Sequence, residues 1–226
     1  MSVKGFSIAL MALVQGMSFA HASEPVGVSL EATRVVIENG ANEAHLGVKN
    51  SLRVPILVHS SFENVSGEKS NAFMAIPPLF KLDEKRTSRL RIVKTAELPQ
   101  DKESVFYINV VSVPSSKNSG GSQLNIGLGQ RIKVFYRPKN VTGNCQYAAQ
   151  HLDWSYSKGV LRVNNPTQLS VSMIDFEVQG KRTETTMLLP GQQAQWLMKM
   201  PKLGRFSFRY IDEYGGVRTQ EVHLNN

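Results

Sequence analysis

Along this chain apolar and polar side chains rarely follow helical spacing; they recur in short runs rich in β-branched and aromatic residues. "TRVVIE" (33–38), "AHLGVKN" (44–50), "VPILVHSSFE" (54–63), "SRLRIVK" (88–94), "SVFYINVVSV" (104–113) and "QLNIGLGQRIKVFY" (123–136) are such runs. Turn formers such as "ENGAN" and "NVSGEKSN" separate several of them. This spacing predicts an antiparallel sandwich or barrel. After "KNVTGNCQ" a second set begins: "LDWSYS", "VLRVNN", "LSVSMIDFEV", "TMLLP", "QAQWLMKM", "FSFRYIDE" and "TQEVHL". Two β-sandwiches in tandem follow, with one helical turn expected at "QYAAQHL" and no internal repeat apparent.

One run is unusual. Leu124, Ile126 and Leu128 alternate with Asn125, Gly127 and Gly129, and Lys133 follows between Ile132 and Val134. The strand is greasy on one face and nearly bare on the other. On pattern alone, three aliphatic residues of that kind belong to the protein's own core, and a lone base such as Arg34 or Lys133 is exposed or internally paired.

The totals agree with a folded, exported chain. Its 226 residues suffice for two domains, and 41% hydrophobic with 19% charged residues is a globular composition. "MSVKGFSIALMALVQGMSFAHA" has a basic start, a short apolar run and a small-residue site at Ala20-His21-Ala22, so residues 1–22 are expected to be a cleaved signal peptide. Its removal takes away Lys4 and lowers the net charge from +8 to +7. The cations are interleaved with acids, which predicts solvated surface and no nucleic-acid partner. Cys145 is the single cysteine, so no internal disulfide can form. The remaining segments are an N-terminal domain over 23–139, a linker over 140–146 and a C-terminal domain over 147–226.

Enzyme chemistry finds little support. His45, His59, His151 and His223 are scattered without paired zinc spacing, and there is no G-x-S-x-G elbow. "GLG" at 127–129 leads into more strand, unlike a nucleotide loop. No catalytic residue, metal or cofactor is expected.

Four stretches together carry a resemblance: "LEATRVVIENG" with Arg34, "IPPLFKLDEKRTSRLRI", "LPQDKESVFYINV" and "QRIKVFYRP". The second half adds "NNPT", "MLLPG" and "YIDEYGG". In this order they resemble the periplasmic pilus (fimbrial) assembly chaperones, the PapD-like family, across the mature chain. The resemblance implies an all-β fold of two immunoglobulin-like sandwiches arranged as an L. It implies a periplasmic chaperone of the chaperone-usher pathway, without cofactors, that stabilises pilin subunits, a tip adhesin among them. Subunits then pass to an outer-membrane usher.

The same resemblance implies roles for particular residues. Leu124, Ile126 and Leu128 are the teeth of a strand donated to an incomplete pilin, and Arg34 with Lys133 anchors the pilin's C-terminal carboxylate. Leu128 and Lys133 are five residues apart, so Lys133 projects from the face opposite the teeth. Glu103, Arg137 and Glu213 match an ion-pair network between the domains, with Asp212 an alternative to Glu213. The short "PSSKNSGGS" segment places the chain with short-loop members, although "PPLFKLDEK" resembles long-loop ones. An exposed aliphatic strand also implies possible self-association of the free chaperone. The competing reading is a two-sandwich structural or adhesive subunit of a surface fibre.

Overall fold

The computed structural model of the protein describes residues 27–115, 126–178, 181–182, 184, 186–199 and 204–224. The signal peptide, most of "PSSKNSGGS" and the tooth residue Leu124 lie outside them.

The first domain is built from β1 (Val28–Leu30), β2 (Arg34–Ile37), β3 (Glu43–Asn50), β4 (Ile56–Asn64), β5 (Phe73–Ile76), β6 (Leu79–Leu82), β7 (Thr87–Lys94), β8 (Ser104–Pro114) and β9 (Leu128–Tyr136). They form two sheets, ordered β1-β3-β7-β5 and β2-β9-β8-β4-β6. The chain changes sheets between Leu30 and Arg34, so β2 arrives beside β9 and pairs with it in parallel. Alternation along β4 buries Ile56, Val58 and Phe62, which meet Leu46, Leu90 and Ile92 of the facing sheet in one core. Of these elements β1, β5 and β6 escaped the sequence reading, because runs of three or four residues carry too little periodicity.

After the linker come α1 (Cys145–Gln150), β10 (Asp153–Ser157), β11 (Val160–Asn164), β12 (Val171–Val178), β13 (Lys181–Arg182), β14 (Thr186–Leu188), β15 (Gln193–Leu197), β16 (Arg205–Ile211) and β17 (Val217–His223). Cys145 and Gln146, expected in the linker, already belong to α1, whose N-cap Asn144 accepts from the Tyr147 N–H. One sheet runs β10-β11-β15; in the other, β12 pairs with β13, β14 and β16, and β16 with β17. Between them lies an aromatic core in which Trp154 packs on Phe206 with centroids 4.9 Å apart and on Phe176 at 5.8 Å.

The sequence shows no repeat, yet the turn before β4 and the turn before β12 are closed in the same way. Asn50 and Asn165 are fully buried. Asn50 Nδ2 donates to the carbonyls of Val54, Leu82 and Asp83, and its Oδ1 accepts from Leu52 N. Asn165 Nδ2 donates to the carbonyls of Leu169, Leu188 and Leu189, and its Oδ1 accepts from Thr167 N. Each amide satisfies backbone groups that burial would otherwise leave unpaired. Asn165→Leu is expected to cost the second domain about 1–3 kcal/mol of stability. Asn140→Ala at the exposed linker should stay within about 0.5 kcal/mol, and urea unfolding of the two variants checks both.

Candidate functional site

β9 has one edge covered along its whole length and the other covered only in part. β8 pairs with it from Leu128 to Tyr136, whereas β2 pairs only from Lys133 to Tyr136. Among the described residues no strand lies beside Leu128–Ile132 on that side, so the backbone there presents open N–H and C=O groups. Leu128 shares a face with Gln130, Ile132, Val134 and Tyr136. Val134 and Tyr136 are in the core and Ile132 packs against it, while Leu128 is 48% and Ile126 71% exposed. The core-facing row therefore continues past the end of the domain's own core. Ile126 and Gly127 precede the strand, which is shorter than the 123–136 run expected from sequence. The opposite face, bare at Gly129, goes on to carry Arg131, Lys133 and Phe135; there Arg131 stacks on Tyr107 at 3.7 Å and pairs with Glu63 at 3.0 Å.

Where the open edge ends, two cations meet. Arg34 and Lys133 are register partners at the start of the β2–β9 pairing, on the face away from the core. Both reach the second domain: the Arg34 guanidinium donates to Ile211 O at 3.2 Å, and Lys133 Nζ donates to Ser172 Oγ at 3.0 Å. The guanidinium also lies over the Phe135 ring, 5.5 Å from its centre, and Arg34 Nε is buried with no partner. Among the described residues neither cation forms an ion pair, which removes the internally paired reading left open by the sequence. Burial, and then the Arg34 charge, push the Lys133 ammonium down to about 8. Burial likewise lowers the Arg34 value, against the pull of Cys145, Asp212, Glu213 and Glu103. Two half-desolvated cations without an acid partner, one of them with an unpartnered Nε–H, are chemically suited to an anion, and a planar guanidinium with an ammonium suits a carboxylate.

The structure also brings Glu103, Arg137 and Glu213 together. Arg137 is buried and pairs with Glu103 at 3.0 Å, Glu213 at 3.3 Å and Glu38 at 3.2 Å. Glu103 accepts from Ser170 N, and its own N–H donates to Gln168 O, so first-domain groups hold second-domain backbone directly. Glu213 accepts from both the backbone N–H and the thiol of Cys145. Burial works against its ionisation, but the Cys145 hydrogen bonds and the Arg137 charge outweigh it and hold the carboxyl below its ordinary value. At Glu103 burial prevails and the value is raised. The thiol itself is driven up to about 12 by burial and the Glu213 carboxylate. Asp212 serves elsewhere: it pairs with Arg218 at 2.8 Å and accepts from Tyr214 N and Gly216 N in the hairpin turn. The tip of that turn rests on the first domain, since a Cβ at Gly215 would run into Thr33 Oγ1.

Sequence reasoning missed Ser172, Ile211, Phe135, Glu38 and the part played by Cys145. The first two lie in the other domain, where no local pattern marks a residue as facing Lys133 or Arg34. Among the described residues no His/Cys/Asp/Glu group could hold a metal, and no helix is long and apolar enough to cross a membrane.

Comparison with known proteins decides the family. Residues 27–142 match the family described as "Pili and flagellar-assembly chaperone, PapD N-terminal domain", and residues 147–222 match "Pili assembly chaperone PapD, C-terminal domain". The chain belongs to the PapD-like pilus assembly chaperones. It is 36% identical over 196 residues to the probable fimbrial chaperone LpfB of Escherichia coli O157:H7, covering 84% of each chain. It is 33% identical over 218 residues to the probable fimbrial chaperone protein ElfD of E. coli K12, covering 95% of this chain and 94% of that one. Among solved structures, the SafB chaperone with the SafA pilin of Salmonella enterica gives a TM-score of 0.77 at 30% identity, covering 90% of this chain and 99% of the matched chain. The E. coli chaperone DraB gives 0.75 at 31% identity, covering 88% of this chain and 97% of that one. Two immunoglobulin-like sandwiches and a fimbrial chaperone are thereby established.

For this PapD-like chaperone the cation pair has a direct signature. Followed by NMR at the side-chain nitrogen, Lys133 is expected to titrate near pH 8, well below a free lysine. Arg34→Met removes one of the two causes and should move the midpoint upward. A midpoint near 10.4, the ordinary lysine value, would mean that Lys133 is not desolvated.

Proposed function

We propose that this chaperone lends the β9 edge to pilin subunits, including a tip adhesin, in the periplasm and delivers them to an outer-membrane usher. The observation that carries the reading is the register of Arg34 against Lys133 at the point where the open edge of β9 begins. β2 occupies that edge from Lys133 onward, so an added strand has to end there. A chain terminus at that point meets both cations, and its carboxylate supplies the anion that neither has. A strand ending there and running back along Ile132–Leu128 is parallel to β9 and in line with β2.

Leu128 and Ile126, and Leu124 beyond the described residues, then fill a pilin groove that lacks its own strand. Each buried tooth contributes roughly 1.5–3 kcal/mol before ordering costs. Main-chain hydrogen bonds carry no side-chain identity, so several subunits can share one chaperone. Release needs no nucleotide, because another strand can replace β9 in the groove. SafB, the similar chaperone solved with the SafA pilin, supports a pilin as the client. Glu103, Arg137 and Glu213 set the domain orientation without touching the subunit. The open edge also offers a second copy of the chaperone a place to pair when no subunit is bound.

Periplasmic co-expression with pilins of the same genome tests this. The wild-type chaperone should co-purify with a pilin, and Arg34→Ala or Lys133→Ala should reduce capture at least about tenfold, as loss of a charge-assisted hydrogen bond requires. Unchanged melting temperatures would show that the variants remain folded. Undiminished capture by both folded variants would remove the carboxylate anchor.

A further inference from the structure

We propose that Gln130 is the register stop of the donated strand, the residue that tells the client groove where the row of teeth ends. This rests on the strand-donation reading above. The core-facing row of β9 reads Leu128, Gln130, Ile132, Val134, and Gln130 is the polar member. Its backbone lies beside Val110, a core residue of β8, and its neighbours along the row are aliphatic. The amide is satisfied by one specific contact: Nε2 donates to Val28 O at 2.6 Å. Val28 belongs to β1 in the facing sheet, so this bond crosses the mouth of the sandwich just where the domain's core gives way to the exposed teeth.

The physical problem it answers is a slip by two residues. A one-residue slip turns every tooth outward and is rejected by the pleat itself. A two-residue slip keeps the teeth facing the groove, and backbone hydrogen bonds re-form in the new register. Sliding the client toward the Lys133 end by two residues replaces the trio Leu124, Ile126 and Leu128 with Ile126, Leu128 and Gln130. The amide would then leave Val28 O and enter an apolar slot with no partner. That penalty corresponds to roughly 10- to 100-fold in affinity. Gln130 therefore acts by making the neighbouring register costly, while the cation pair fixes the correct one.

Shortening a client drives this slip. Removing the last two residues of a pilin leaves a carboxylate that still reaches Arg34 and Lys133, but draws the groove two residues along β9. The probe is one co-encoded pilin with its native C-terminus and with its last two residues removed, each co-expressed with wild type, Gln130→Met and Gln130→Asn. Wild type should capture the native form at least about tenfold better than the shortened one. Gln130→Met supplies an apolar fourth tooth and should bring the two forms within about threefold. Gln130→Asn is too short to reach Val28 but stays polar, and should keep the wild-type preference. If Met and Asn behave alike, whether both keep the preference or both lose it, Gln130 is only a clamp across the sandwich mouth and the inference fails. If wild type captures neither form, the strand-donation reading fails first and this one with it.

Discussion

The parallel pairing of β2 with β9, Arg34 against Lys133, decides where the first domain has a free edge and what stands at its end. Had β2 extended a few residues further back, Leu128–Ile132 would be an ordinary interior segment with its backbone groups paired. Because the pairing starts at Lys133, the same strand belongs to the core from Val134 onward and is open before it. The boundary between those halves is marked by two positive charges on one face. On the other, a glutamine bridges to the facing sheet. Open edge and charge pair both follow from a single register.

Two cations held side by side and half desolvated oppose folding unless something offsets them. The second domain does so by direct contact through neutral groups, the Ser172 hydroxyl taking Lys133 and the Ile211 carbonyl taking Arg34, with Asp212 and Glu213 acting on Arg34 from further off. The carboxylates are kept a step away, spent on Arg137, Arg218 and the Cys145 N–H and thiol. That separation leaves the two cations without an acid partner, and the Arg137 cluster adds ion pairs between the domains to the hydrogen bonds that Arg34 and Lys133 make. The ion-pair network around Arg137 and the acid-free pair Arg34 and Lys133 thus lie in adjoining places but use different charges.

The sequence carried the strand content of both halves, because eight- to eleven-residue runs such as "SVFYINVVSV" hold enough alternation to read. It did not carry β1, β5 or β6, whose few residues are defined by their neighbours. Arg34, Lys133, Glu103, Arg137 and Glu213 were found through motifs shared with a family, and the coordinates bring them into two clusters. Pattern alone suggested an exposed or internally paired side chain for each base; both are half-buried and hydrogen-bonded to neutral groups of the second domain. The reason is spatial: their partners sit at Ser172 and Ile211, reached only after the two sandwiches meet. The part played by Cys145 was hidden for the same reason, since its acceptor Glu213 lies 68 positions away.

The central claim is that the cleft binds a chain terminus through its carboxylate. The measurement that bears on it most directly is calorimetric binding of a synthetic peptide matching the C-terminus of a co-encoded pilin, once as the free acid and once as the amide. The acid should bind at least about tenfold more tightly to wild type, with the difference abolished by Lys133→Ala. Equal binding of acid and amide to the wild-type protein would contradict the account.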